Sequence, residues 1–294
     1  MKHAYLIMAH NNYDLLKELI YQLDDVDNKI FIHIDKKSDI TDEEKEGILS
    51  VCKNSDIQFT PRTRVSWGGD SQVLCEMNLL KVAIVSDCDY YHFLSGQDFP
   101  IKNMHTIKKF FEENEGKEFV SYTYDVDYAE RIKYYHLFRN IIGRNKNSAL
   151  YRISQLFVVL QKKIGFSRIK GDMEVYGGAN WCSITKNFAK YLTCNRKKIL
   201  RTFGKSVCAD EVFIQTMLKN SPFKGNIFTD QDINYADGLT GDLRAIDWKR
   251  GNPYTFDETD FGLLKNCKCL FCRKVSNTEL QEKKLIERIK KELL

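Results

Sequence analysis

Three apolar stretches early in the chain each run into polar residues, and helical patterns lie between them. Tyr5-Leu6-Ile7-Met8-Ala9 leads to His10, and Ile32-His33-Ile34 leads to Asp35. Tyr91-His92-Phe93-Leu94 leads into a Ser95-Gly96-Gln97 turn followed by Asp98-Phe99-Pro100. Between the first two, Leu15, Leu16, Leu19, Ile20 and Leu23 recur at helical spacing over Tyr13 to Leu23. Thr41-Asp42-Glu43-Glu44 reads as a capping box that opens a helix to about Val51. Ile57 to Phe59 reads as a further strand and Ser71 to Ser86 as a helix. Alternation of this kind predicts an α/β fold, a mostly parallel sheet with helices on both faces. In open sheets ligands bind outside the carboxyl ends of the strands, which makes His10, Asp35 and Asp98 candidate site residues.

Further along, Met104 opens a helix ending near Glu115-Gly116, and residues 125–172 are basic, aromatic and either helical or irregular. Helices are expected at Lys186 to Cys194 and Asp210 to Lys219. A loop-rich stretch follows Phe228, and an amphipathic helix runs from about Asn277 to Leu294. The 294 residues, 43% hydrophobic and 29% charged, suit one large soluble α/β domain or two small ones. No stretch approaches the ~20 consecutive apolar residues of a membrane-spanning helix. MKHAYLIMAH reads directly as a core strand rather than as a signal peptide.

The net charge of +5 is modest, with Lys and Arg concentrated between Lys133 and Lys170 and again after Lys265. Such a rim either steers a nucleotide diphosphate or an acidic lipid surface, or is simply a solvated face. No zinc finger, helix-turn-helix or RNA-binding signature is present, so nucleic acid is not expected as a partner. Nine cysteines without an export signal argue for reduced thiols. Cys267, Cys269 and Cys272 lack the fourth ligand that a structural zinc site needs.

Seven segments carry a resemblance. HAYLIMAHNNYDLLKELI, IFIHIDKKSD, RVSWGGDSQV, HFLSGQDFPIK, YGGANWCSITKNFAKYL, CADEVFIQTML and LRAIDWKRGNPYTF occur in the order of the core-2/I-branching glycosyltransferases, which include the peptide O-xylosyltransferases. The similarity runs from about His3 to about Lys274. It implies a GT-A-type fold with a Rossmann-like central sheet, one catalytic domain over residues 1–275 and a C-terminal amphipathic helix over 276–294. It also implies inverting, metal-independent transfer of N-acetylglucosamine or xylose from a UDP-sugar to a hydroxyl of a glycan or lipid-linked oligosaccharide, in surface polysaccharide synthesis. Animal members carry a membrane anchor and stem that this sequence lacks, so the expectation is a cytoplasmic, bacterial-type enzyme. Leu280, Leu285, Ile286, Ile289 and Leu293 of the last helix either dock on a membrane or face the protein.

The resemblance also assigns residues. Glu211 in Ala209-Asp210-Glu211 matches the general base of the family's Ser-Pro-Asp-Glu motif, with Cys208-Ala209 replacing Ser-Pro. Lys274 matches the diphosphate-binding Lys, and its partner Arg falls at Arg250, with Arg244 as competitor. An Arg–Lys pair of this kind neutralises the developing charge on the diphosphate. His10 and Asp35 match the nucleotide wall, Trp67 and Asp98 the donor-sugar side, and Trp248 and Arg131 (beside Glu130) the acceptor side. Two alternatives stand beside this reading. Asp87 and Asp89, one of four Asp-x-Asp pairs with Asp25/Asp27, Asp125/Asp127 and Asp230/Asp232, could hold a divalent metal. Loss of Ser-Pro would also suit an inactive relative that binds sugar nucleotides.

Overall fold

The computed structural model describes residues 1–171, 173–229 and 241–294. Strand β1 (His3–Ala9) leads to helix α1 (Tyr13–Leu23), whose Leu15, Leu16, Leu19, Ile20 and Leu23 are all buried. Asn12 caps α1, its side chain accepting from Leu15 N at 3.3 Å. Strand β2 (Asn28–Ile34) and helix α2 (Asp42–Leu49) follow, and the Thr41/Glu44 capping box forms as expected. Next come β3 (Asp56–Phe59), α3 (Ser71–Ala83) extended by a short 3-10 turn, β4 (Tyr90–Ser95), β5 (Asp98–Pro100) and α4 (Met104–Glu113).

The basic excursion is largely helical: α5 (Ala129–Lys133), α6 (Arg139–Ile142) and α7 (Ala149–Lys163). Strand β6 (Ser183–Thr185) then precedes α8 (Lys186–Cys194), α9 (Arg196–Phe203) and α10 (Asp210–Lys219). The stretch expected to be loop-rich holds β7 (Arg244–Ile246), α11 (Phe261–Asn266) and β8 (Phe271–Arg273), and α12 (Leu280–Glu292) ends the fold.

Five strands form the central sheet in the order β3-β2-β1-β4-β6. Its first four strands are parallel to one another and β6 is antiparallel to β4. Side chains alternate across it. Tyr5, Ile7, Ile30, Ile32 and Leu94 pack on one face with α1, α4 and α12. Ala4, Leu6, Phe31, Tyr91 and Phe93 pack on the other with α3, α8 and α10. This is the mostly parallel α/β sheet with helices on both faces that the alternation predicts.

A second, three-stranded sheet runs β5-β8-β7, with β5 antiparallel to β8 and β7 parallel to it. Pro100 is tolerated because β5 is an edge strand. This small sheet brings the C-terminal part of the chain beside the turn after β4, where Val275 N donates to Gln97 O at 3.0 Å.

Two expectations change. Helix α12 is not a segment apart from the catalytic domain, because Leu285, Ile286 and Ile289 belong to the same buried cluster as β1 and β2. That packing turns Leu285, Ile286 and Ile289 into the protein, while Leu280 stays exposed. Ion pairs of Lys290 with Glu18 at 2.6 Å and of Arg288 with Glu258 at 2.9 Å hold its flanks. Among the described residues no helix is long and apolar enough to cross a membrane.

Candidate active site

Parallel register places the carboxyl ends of β1, β2 and β4 side by side, with Ala9 opposite Ile34 and Met8 opposite Ser95. His10 and Asp35 therefore meet at one mouth, and Asp35 N donates to Ala9 O at 2.9 Å. Asp35 Oδ1 accepts from the backbone of Lys37 at 2.9 Å and of Val65 at 3.2 Å. Asp35 Oδ2 has Lys37 Nζ at 3.6 Å. The His10 imidazole pKa is lowered, first by partial desolvation, with Asp35 opposing and Lys274, Lys37 and Arg144 adding to the fall. At neutral pH the ring is uncharged, which suits a flat apolar wall for a base.

Lys274 follows β8 and reaches the same mouth. Its amide donates to Tyr254 O at 3.3 Å and its carbonyl accepts from Phe256 N at 2.9 Å, which pins the segment. Partial burial, then the charges of Arg273 and Arg144, lower its ammonium pKa. Among the described residues Lys274 forms no ion pair.

Neither expected arginine partner is free for an anion. Arg250 Nε binds Asp247 at 2.6 Å and its Nη2 binds Asp260 at 2.8 Å, with the guanidinium 4.0 Å over the Tyr254 ring. Arg250 thereby bridges the two carboxylates and clips that loop down. Arg244 is buried, donating to Phe93 O at 3.2 Å, Cys182 O at 3.1 Å and Ser183 Oγ at 3.2 Å. It ties β7 to β4 and β6 across the sheet.

Asp98 likewise departs from the donor-sugar role. Its carboxylate is 0% exposed, receives Ser95 N at 2.9 Å and pairs with Arg273 at 2.7 Å. The Arg273 guanidinium in turn lies 4.4 Å over the ring of Trp181. Asp98 thus braces the turn after β4 against β8 and does not present a carboxylate to the cleft.

Glu211 sits in the first turn of α10, and Arg131 Nη1 of α5 donates to its Oε2. Arg131 is itself steadied 4.6 Å over the Tyr128 ring. The expected base and the expected acceptor-side arginine are thus direct partners. The Glu211 side chain stays 39% exposed, so a hydroxyl can approach it.

Beneath it lies a buried acidic pair that sequence reasoning missed. Asp210 accepts from Gln72 Nε2 at 2.6 Å, and Glu76, one helical turn after Gln72 on α3, accepts from Asn180 Nδ2 at 3.2 Å. Burial and then the neighbouring Glu211 push Asp210 up to about 7. Burial and then Asp210 push Glu76 well above the usual carboxylate range. The signal available was a single acid, Glu76, on an otherwise apolar face of α3.

Backbone packing sets Asn180. A Cβ on Gly178 would stand 2.1 Å from Ser121 O, so only glycine lets the segment before Asn180-Trp181 pass. Trp67 is exposed, with the Arg144 guanidinium 5.3 Å from its ring centroid. Trp248 is also exposed, on the turn after β7, and the structure does not join it to Glu211 or Arg131.

The acidic pairs fall elsewhere. Asp87 and Asp89 precede β4, at the end of the sheet opposite the mouth. Asp87 is held by Lys186 at 2.7 Å and Lys190 at 3.3 Å, and Asp89 by Lys2 N at 2.7 Å. Ser95 lies six residue steps along the chain from Asp89, about 20 Å at strand rise, so the pair does not face a ligand at His10 and Asp35. Asp25 and Asp27 share Lys108 at that same far end. Asp127 accepts from Ala129 N at 2.9 Å, at the start of α5. Asp230 and Asp232 lie outside the described residues. Among the described residues no three of His, Cys, Asp or Glu converge as metal ligands, Cys267, Cys269 and Cys272 included.

Residues 3–266 match the Core-2/I-Branching enzyme family. Human N-acetyllactosaminide beta-1,6-N-acetylglucosaminyl-transferase is 24% identical over 252 residues, covering 83% of this chain and 58% of that protein. Rat xylosyltransferase 2 is 24% identical over 297 residues, covering 95% of this chain and 32% of that one. The chain thus spans less than two thirds of either relative. Mouse xyloside xylosyltransferase 1 in its apo form aligns at 10% identity and a TM-score of 0.40, over 95% of this chain and 100% of that one. The family match runs unbroken from β1 through α11 and takes in the strand mouth, Arg131 and Glu211; this chain belongs to the Core-2/I-Branching enzyme family.

Proposed function

We propose that this protein is an inverting glycosyltransferase that moves N-acetylglucosamine or xylose from a UDP-sugar to a hydroxyl of a glycan or lipid-linked oligosaccharide. The observation that carries the reading is Glu211, an exposed carboxylate oriented by Arg131 at the start of α10. In the reaction the acceptor oxygen forms a bond to the anomeric carbon while the bond from that carbon to the diphosphate oxygen breaks. Glu211 takes the hydroxyl proton and UDP leaves with the bonding pair. Lys274 meets the negative charge that appears on the diphosphate, and desolvation around it strengthens that attraction. His10 and Asp35 wall the uridine, with Asp35 Oδ2 accepting from a ribose hydroxyl or a ring N–H. No metal is required in this scheme, because side-chain cations take its role.

The experiment is UDP release from a panel of UDP-sugars, each with EDTA and with Mn²⁺, beside Glu211→Gln. Turnover of one donor that ignores EDTA and is strongly reduced in the variant supports the scheme and identifies the sugar. A requirement for Mn²⁺ would overturn the metal-free mechanism. Donor binding without turnover, even with a mixed glycan acceptor pool, would favour an inactive sugar-nucleotide binder.

A further inference from the structure

The two ion pairs of Arg250 take it out of the role expected beside Lys274, yet one Lys is a sparse counter-charge for a leaving diphosphate. The mouth supplies other cations. A cavity of about 510 Å³ is lined by Lys37, Arg64, Trp67 and Arg144, with no carboxylate in its wall. Arg144 stands in the turn after α6, and the Trp67 ring lies under its guanidinium at 5.3 Å from the centroid. Neither Arg64 nor Arg144 forms an ion pair among the described residues, whereas Lys37 has Asp35 at 3.6 Å. The cavity adjoins the nucleotide wall through Lys37, which lines it and has Asp35 at 3.6 Å.

Arg64 and Arg144, like charges without ion-pair partners among the described residues, repel each other, and an anion relieves that repulsion. A guanidinium already held over an indole ring also loses less freedom when it closes on two phosphate oxygens. We propose that Arg144, placed over the Trp67 ring and supported by Lys37 and Arg64, binds the diphosphate of the sugar nucleotide together with Lys274. Trp67 then acts as the platform for Arg144 as well as a wall of the donor site. The inference rests on the UDP-sugar reading, and the test separates the two.

Uridine, UMP and UDP are titrated in EDTA by calorimetry against the unaltered protein, Arg144→Ala, Arg144→Lys and Arg250→Ala, with thermal melts run on each. In the unaltered protein UDP should bind tighter than UMP, and UMP tighter than uridine. Arg144→Ala should weaken UDP by about tenfold or more, the loss of a charge-assisted pair, and leave uridine unchanged. Arg144→Lys should recover part of the loss, because it restores charge without the two-pronged geometry. Arg250→Ala should melt lower yet bind UDP within about twofold of the unaltered protein. Equal UDP affinity in Arg144→Ala, or equal weakening of uridine and UDP, would overturn the role of Arg144. If the unaltered protein does not prefer UDP over uridine, the donor reading itself fails, before any variant is compared.

Discussion

Asp98 offers the sharpest test of what the mouth is built from. It forms a buried ion pair with Arg273, the two side chains being 0% and 11% exposed and 2.7 Å apart. Asp98→Asn keeps the shape and an acceptor for Ser95 N but leaves the guanidinium buried without its counter-charge. Removing one partner of such a pair costs about 3–5 kcal/mol, whereas replacing both with apolar groups of similar size is close to neutral. With an unfolding entropy of ~2.1 cal/mol/K per residue over 294 residues, that loss lowers Tm by about 5–8 °C.

The double variant Asp98→Asn, Arg273→Met should recover part of the fall, since it removes the unpaired buried charge and Met can pack on Trp181, while the buried Asn amide keeps some of the cost. Thermal unfolding followed by circular dichroism at pH 7, with UDP release measured on the same samples, reads both effects. If Asp98→Asn melts within about 1 °C of the unaltered protein, the range of an ordinary surface change, while UDP release collapses, the bracing role is wrong. The carboxylate would then be working on substrate.

Two further outcomes follow from burial. Asp210, pushed up to about 7, has a folded pKa above its unfolded value. Its contribution is therefore fully present below about pH 4 and is lost as the pH rises through about 7. Denaturant unfolding at pH 5 and pH 8 should show a smaller drop in stability for Asp210→Asn than for the unaltered protein, and an equal drop would overturn the assignment. Glu118, pushed up to about 7, and Asp242, up to about 6, act in the same sense, while His3 and His136, lowered to about 4, act oppositely. The comparison between variant and unaltered protein removes these shared contributions, whereas Glu76, raised in part by Asp210, loses that part in the variant and lessens the drop in the same direction. Separately, Ile289→Ala should cost about 2–5 kcal/mol and leave retention on anionic vesicles unchanged. Vesicle binding that disappears with this side chain would place α12 on a membrane instead of in the core.

Local pattern was a sound guide wherever an element declares itself over several turns. The bounds of α1, α8 and α10 follow from apolar spacing within each segment, with side-chain caps at Asn12 for α1 and Thr185 for α8, and β1, β2 and β4 from runs that the sheet buries. By contrast β5, β7 and β8 are three residues each, too short to show a period, and they exist only because distant segments pair. Helices α5 to α7 were only half legible, since cations and aromatics crowd their exposed faces. The candidate site divides along the same line. Glu211 and Lys274 are readable from motif position, and His10 and Asp35 from their place at strand ends.

Sequence alone therefore determined the alternating α/β plan and the shared mouth at the strand ends of His10 and Asp35. It did so because strand and helix periods, caps and strand ends are properties of neighbouring residues. Only the tertiary structure decided which charges remain available there. Asp98, Arg244 and Arg250 look as suitable in the sequence as Lys274. Each is neutralised or consumed by partners on other elements: Asp98 by Arg273, Arg244 by carbonyls of β4 and the segment before β6, and Arg250 by Asp260 as well as nearby Asp247. Whether a charge serves the fold or a ligand depends on what stands within about 4 Å of it, and folding alone sets that distance.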